Sequence, residues 1–147
     1  MATTKQIIQA AYPLPAYNYK VTIDSETLSF SEVSGLNLSY EKVVYKHGLS
    51  YALGANIVRA QQNEVTVSLK RGVVAKRSQL YNWFTGNDRK DIFIDLCDEE
   101  GNAVVRWKIN KALPLKMDAP SFNAADNNSV AIESLDVIAQ EISIEYF

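Results

Sequence analysis

Apolar and polar side chains alternate with period two along most of the chain. Tyr17, Tyr19, Val21 and Ile23 alternate with Asn18, Lys20 and Thr22, and Val65, Val67 and Leu69 with Glu64, Thr66, Ser68 and Lys70. Ile92, Ile94 and Leu96 are spaced by Phe93 and Asp95; Val105, Trp107 and Ile109 by Arg106 and Lys108; Ile142, Ile144 and Tyr146 by Ser143 and Glu145. Successive strand residues point to opposite faces, so each run predicts a strand with one buried and one wet face. That is the pattern of antiparallel sheets. Turn residues separate the runs at Asp24-Ser25-Glu26 and at Asp98-Glu99-Glu100-Gly101-Asn102, the second a predicted hairpin loop. After Ser34-Gly35 the pattern resumes with Leu36, Leu38 and Tyr40, then moves to Val43 and Tyr45, which predicts a bulge near Glu41-Lys42. A similar slip separates Val130 and Ile132 from Leu135 and Val137.

One segment breaks the period. Val74, Arg77, Leu80, Tyr81 and Phe84 are spaced three and four apart, the stripe of an amphipathic helix over 74–85. Gly86 is its expected C-terminal cap, and Trp83 falls off the stripe near its end, where packing at an edge or interface competes with simple burial. Residues 1–16 carry Pro13 and Pro15 and read as an extended arm. Residues 46–62 read as a long loop between strands, and loops of that length are usually functional. Leu49, Tyr51, Leu53, Ile57 and Val58 make it too apolar for a solvated loop, so a neighbouring subunit is the expected cover.

With 147 residues, one domain with a sizeable core is expected. The formal net charge of −2 speaks against a dedicated nucleic-acid binder. One cysteine excludes an internal disulfide. The first residues contain no apolar run of signal-peptide length, which predicts synthesis and folding in the cytoplasm without a cleaved signal. No stretch reaches the ~18 apolar residues of a membrane span, so no membrane insertion of the subunit is expected.

Catalytic chemistry finds little support. His47 is the sole histidine, without the partners of a triad or a multi-histidine metal site. Cys97 falls in a predicted strand and reads as a small hydrophobe. Asp95, Asp98, Glu99 and Glu100 lack the spacing of a Ca²⁺ loop and read as a hairpin tip. Lys70-Arg71-Gly72 lacks the glycine spacing of a phosphate loop, and Trp107 reads as core. No enzyme, cofactor or metal site is expected.

The order of segments nevertheless resembles the tail tube protein family of contractile phages and contractile injection systems. Phe30-Ser31-Glu32-Val33-Ser34-Gly35-Leu36 and Leu69-Lys70-Arg71-Gly72 are its most specific pieces. Leu80-Tyr81-Asn82-Trp83-Phe84, Val105-Arg106-Trp107-Lys108-Ile109 and Asn127-Asn128-Ser129-Val130-Ala131-Ile132-Glu133 follow in collinear order. The resemblance implies a mainly β fold: two packed antiparallel sheets in a barrel-like sandwich, with one flanking α-helix and a long extended loop. It implies a structural inner tube subunit made in the bacterial cytoplasm. Hexameric rings of it stack into a hollow tube that a contractile sheath drives through a target envelope. The implied partners are further copies of the chain, the sheath protein, baseplate and tube-terminating proteins, and DNA or protein effectors as cargo. The expected inter-subunit or inter-ring contacts are Tyr45, His47, Leu49, Tyr51, Leu53, Asn56, Ile57, Val58 and Arg59. A tube initiator or terminal cap paralogue, and a monomeric small-molecule-binding β-barrel, are the alternatives.

Overall fold

The computed structural model describes residues 13–45, 56–125 and 130–147. Its elements are β1 (Tyr19–Ile23), β2 (Glu26–Leu28), β3 (Glu32–Ser34), β4 (Tyr40–Tyr45), β5 (Asn56–Gln62), β6 (Val65–Gly72), α1 (Gln79–Gly86), β7 (Lys90–Cys97), β8 (Ala103–Asp118), β9 (Ile132–Ala139) and β10 (Glu141–Tyr146). All strand pairs are antiparallel, as the alternation requires.

The long strand β8 belongs to two sheets. Its first half pairs with β7 and β10, and its second half with β9. The bend between the halves has a local cause. Between the pairs Lys90↔Ala112 and Ile92↔Ile109, β8 holds one residue more than β7. Lys111 there adopts φ 51, and its N–H is held by Asp91 Oδ1 at 2.9 Å. A bulge of this kind bends the strand and increases its twist. One sheet therefore runs β2-β1-β7-β8-β10 and the other β8-β9-β6-β3, folded over each other as an open sandwich rather than a closed barrel.

The core lies between the two inner faces. Val21, Ile92, Ile94, Ile109 and Ile142 come from the first sheet, and Val65, Val67, Leu69, Leu135 and Val137 from the second, all buried in one cluster. Each such side chain contributes about 1.5–3 kcal/mol relative to exposure. Helix α1 packs on β8 and adds Leu80 and Trp83 to the same cluster.

The helix is shorter than the stripe predicts, spanning Gln79–Gly86 rather than 74–85. Lys76 has φ 65, which no right-handed helix accommodates, and Val74 is exposed. The cap is Asn87 rather than Gly86: Asn87 takes the left-handed conformation and its N–H bonds the Trp83 carbonyl at 3.2 Å. Trp83 is buried, not at an edge, and its Nε1–H donates to the Asp88 carbonyl at 2.6 Å. The register break expected after Ile132 is also absent. β6 and β9 pair without a shift from Val65↔Ala139 to Gly72↔Ile132, so Ile132 simply occupies the outer face.

Candidate functional site

The two most specific sequence segments turn out to face one another. Ser31 donates through its N–H (2.8 Å) and Oγ (3.1 Å) to the Lys70 carbonyl, and Glu32 reaches Lys70 Nζ at 3.7 Å. β3 then pairs with β6 from Glu32↔Lys70 to Ser34↔Ser68. Arg71 turns inward. Its Nε donates to Glu133 Oε1 at 2.7 Å and its Nη2 to the Arg77 carbonyl at 3.2 Å, tying the loop after β6 to β9. A buried guanidinium needs such partners, because an unpaired buried charge is strongly unfavourable. Gly35 has φ 88 and sits against the main chain of Thr66, where only a glycine fits.

Beyond Gly35 the chain leaves the sandwich. β4 and β5 pair only with each other, forming a two-stranded ribbon. This corrects the expected loop 46–62: residues 56–62 are strand β5, and residues 46–55 lie outside the described residues. The predicted bulge is present between Tyr40 and Lys42, with its extra residue on β5. Of the expected contact residues, Tyr45 is paired with Asn56, and Ile57, Val58 and Arg59 stand opposite Val44, Val43 and Lys42. His47, Leu49, Tyr51 and Leu53 lie outside the described residues. Arg59 stacks over the Tyr40 ring, 4.0 Å from its centroid. Val43, Val44 and Val58 expose 44–51% of their surface, so the ribbon carries apolar side chains without a cover from its own subunit.

Two more surfaces matter. Among the described residues β2, β3 and β10 are edge strands. The Phe147 N–H bonds the Val104 carbonyl, which leaves the backbone groups of Ile142, Ile144 and Tyr146 pointing outward. The Ile142 carbonyl accepts Gln62 Nε2 at 3.2 Å; the rest form an open edge. At the other end of the molecule, α1, the end of β8 and the start of β9 frame an apolar groove of about 440 Å³. Phe122, 83% exposed, and Val130, 73% exposed, stand at its side.

The remaining sequence candidates take structural roles. Asp95 is buried and receives a bidentate pair from Arg106, at 2.6 and 3.1 Å. That bond raises the pKa of Arg106, against the opposing effect of burial. Arg106 also lies between the rings of Phe93 and Phe147, at 5.1 and 5.2 Å from their centroids. Sequence reasoning grouped Asp95 with the acidic tip and missed this pair. The hairpin loop was the available signal, since it places Asp95 opposite Arg106. Asp98 Oδ1 accepts the N–H groups of Glu100 and Asn102, both at 2.9 Å, and so shapes the turn. Cys97 is buried, and Trp107 is half-buried against the core.

Several solved structures share this fold. The chain is similar to a chain of the PVC sheath–tube complex, an extracellular contractile injection system in its extended state, with a TM-score of 0.88, 26% identity and full coverage of both chains. It is similar to the same degree to a chain in the structure of the anti-feeding prophage cap, the tube-terminating cap, with a TM-score of 0.87, 27% identity and full coverage of both chains. Hcp1 from Flavobacterium johnsoniae shares the fold, with a TM-score of 0.51 and 17% identity over 89% of this chain and 97% of that one. No curated protein sequence matches. The family model of the T4-like virus tail tube protein gp19 matches residues 15–143, and the chain therefore belongs to that tail tube family.

Proposed function

We propose that this protein is the inner tube subunit of a contractile injection system or tail, with a structural rather than catalytic role. The observation that carries the reading is the family match over residues 15–143, joined to full-length likeness to a sheath–tube chain. Six copies close a ring by pairing their open strand edges, which otherwise are an aggregation hazard. Rings stack into a hollow tube inside a sheath, between a baseplate and a terminator, and DNA or protein effectors pass through the lumen. The β4–β5 ribbon, with Tyr45, Asn56, Ile57, Val58 and Arg59 and the adjoining His47, Leu49, Tyr51 and Leu53, mediates stacking. The net charge of −2 limits repulsion between stacked copies.

Negative-stain microscopy of the purified protein tests this reading. Rings and tubes are expected, and a monomer at every concentration overturns it. Deletion of residues 48–60 is expected to leave folded protein that forms no tubes; tubes of normal length from the deletion remove stacking from the ribbon. A terminal cap role is the second reading, supported by similarity to chains in the structures of the anti-feeding prophage cap and the PVC sheath/tube terminator. Copy number in purified particles separates the two: many copies per particle for a tube subunit, one ring for a cap.

A further inference from the structure

The inner face of the first sheet extends beyond the second sheet that covers it. The pairings align its apolar side chains in rows across β1, β7, β8 and β10. Ile23, Ile92, Ile109 and Ile142 form the first row, and all four are buried. In the next row Val21 and Ile94 are buried, Trp107 is half-buried and Ile144 is 38% exposed. In the last, Tyr19, Leu96 and Val105 are half-buried and Tyr146 is 76% exposed. Cover thus thins along the strands and towards β10. On the β1–β7 side the same face borders an apolar cleft of about 370 Å³, whose walls include Leu14, Ala16, Leu96 and Trp107.

The described chain begins beside this face, at Pro13. Leu14 and Ala16 line the cleft, whereas Pro13 and Pro15 are exposed. That is the alternation of extended backbone. The prolines enforce it, because each fixes its own φ and keeps the residue before it extended. Carried upstream, the same parity selects Tyr12, Ala10 and Ile8, all apolar, and residues 6–12 hold no charged side chain. From β7 to β10 is two strand spacings, about 10 Å, which about three extended residues span. We infer that residues 8–12 lie across the exposed rows of their own subunit's first sheet, with Ile8, Ala10 and Tyr12 turned onto Val105, Trp107, Ile144 and Tyr146. Contiguous exposed apolar surface marks an interaction site. A segment already tethered at Leu14 reaches it without the association cost that a separate partner pays. The contact lies within one subunit, so the inference does not depend on the tube reading.

Disulfide trapping in the full chain tests it, at a protein concentration below the onset of assembly. The buried Cys97 serves as the background. Ala10→Cys is combined with Ile144→Cys in one variant and with Ser143→Cys in another. Ile144 and Ser143 are exposed neighbours on opposite faces of β10, at almost the same tether length. Mild oxidation is expected to close a loop within the monomer about tenfold faster for the Ile144 pair, read as a mobility shift in non-reducing electrophoresis. A free arm would link both positions at similar rates, and that result overturns the inference. A disulfide that joins two chains and none within one also overturns it, since the arm of a second copy then fills the site. Deletion of residues 2–12 supplies a readout without cysteines. Trp83 is buried, so acrylamide quenching reports chiefly Trp107, and the deletion is expected to raise it about twofold. Unchanged quenching overturns the proposed cover. Neither result requires rings or tubes, so failure of the tube reading leaves both tests intact.

Discussion

A methyl group at Gly35 is expected to damage the sandwich edge far more than one at Gly101, although both glycines have left-handed backbones, at φ 88 and φ 84. A Cβ at position 35 would lie 2.4 Å from the Thr66 carbonyl oxygen, a main-chain atom that cannot swing aside. Two costs follow for Gly35→Ala. The left-handed conformation costs an L-residue about 1–2 kcal/mol. Relief of the contact then requires β3 to move from β6, which sacrifices bonds such as Ser31 N–H to Lys70 carbonyl at 2.8 Å. Two or three such bonds at about 1 kcal/mol each bring the total to roughly 3–5 kcal/mol. That is a large share of the 5–15 kcal/mol typical of a domain. At Gly101 nothing lies within 4 Å of the added Cβ, so only the backbone cost remains. Urea unfolding followed by fluorescence of the two tryptophans measures the difference. All variants are compared at one protein concentration below the onset of assembly, because assembly adds stability by mass action. The expected gap between the variants is about 2–3 kcal/mol. Equal losses at the two positions would refute the assignment of a steric role to Thr66.

Three further outcomes are expected. Burial, and then the negative charge of Glu32, raise the Tyr19 phenol above its ordinary pKa of 10.0. The fold favours the neutral phenol, so its stabilisation is complete below pH 10.0 and is lost as pH rises through the folded-state value. Phenolate absorbance and alkaline unfolding of wild type against Tyr19→Phe check this, with the variant also losing the bond to the Phe30 carbonyl. Asp95→Asn breaks a bidentate pair whose acid is buried and whose Arg106 side chain is 33% exposed, so the loss is expected at about 1–3 kcal/mol, below the 3–5 of a fully buried pair. Leu135→Ala empties a fully buried site and is expected to cost about 2–5 kcal/mol, while Val130→Ala at the groove changes subunit stability by less than about 0.5 kcal/mol. Urea midpoints read both, and equal effects of the last pair would contradict the core assignment.

The strands were legible because their signal is local: each alternating run needs only its own residues to show which face is buried. The bulge near Glu41-Lys42 was legible for the same reason, as a change of parity. Val130 and Ile132 misled by that very rule. Their parity differs from Leu135 and Val137 because they face outward, as their exposure shows. The helix boundary failed because Arg71, six residues upstream, holds the Arg77 carbonyl and Lys76 takes a positive φ. No periodicity records such a tertiary tie. The stripe left Trp83 open between an edge and burial for the same reason, since a helix starting at Gln79 buries Leu80 and Trp83 and turns Tyr81 to solvent. The groove itself was not readable, since three elements distant in sequence assemble it.

The Tyr40↔Gln62 register continues that of Glu32↔Lys70, so the ribbon is continuous with β3 and β6 and, in the proposed tube, would couple assembly to the fold of each subunit. An isolated two-stranded hairpin is marginal in water, and β3 has only three residues of pairing on β6. In the proposed tube a neighbour that grips β4–β5 would therefore steady the same double strand that closes the edge of the sandwich. Binding to the folded form alone stabilises it in proportion to RT ln(1 + [L]/Kd). In the proposed tube a neighbour on the ribbon would act as such a ligand, and each added ring would tighten the subunits it contacts. The Tyr19 hydroxyl, bonded to the Phe30 carbonyl at 2.7 Å, ties the start of that strand to the opposite sheet. Gly35 lies between this anchor and the ribbon, so a position that admits no side chain is also where force on the ribbon of the proposed tube would enter the sandwich.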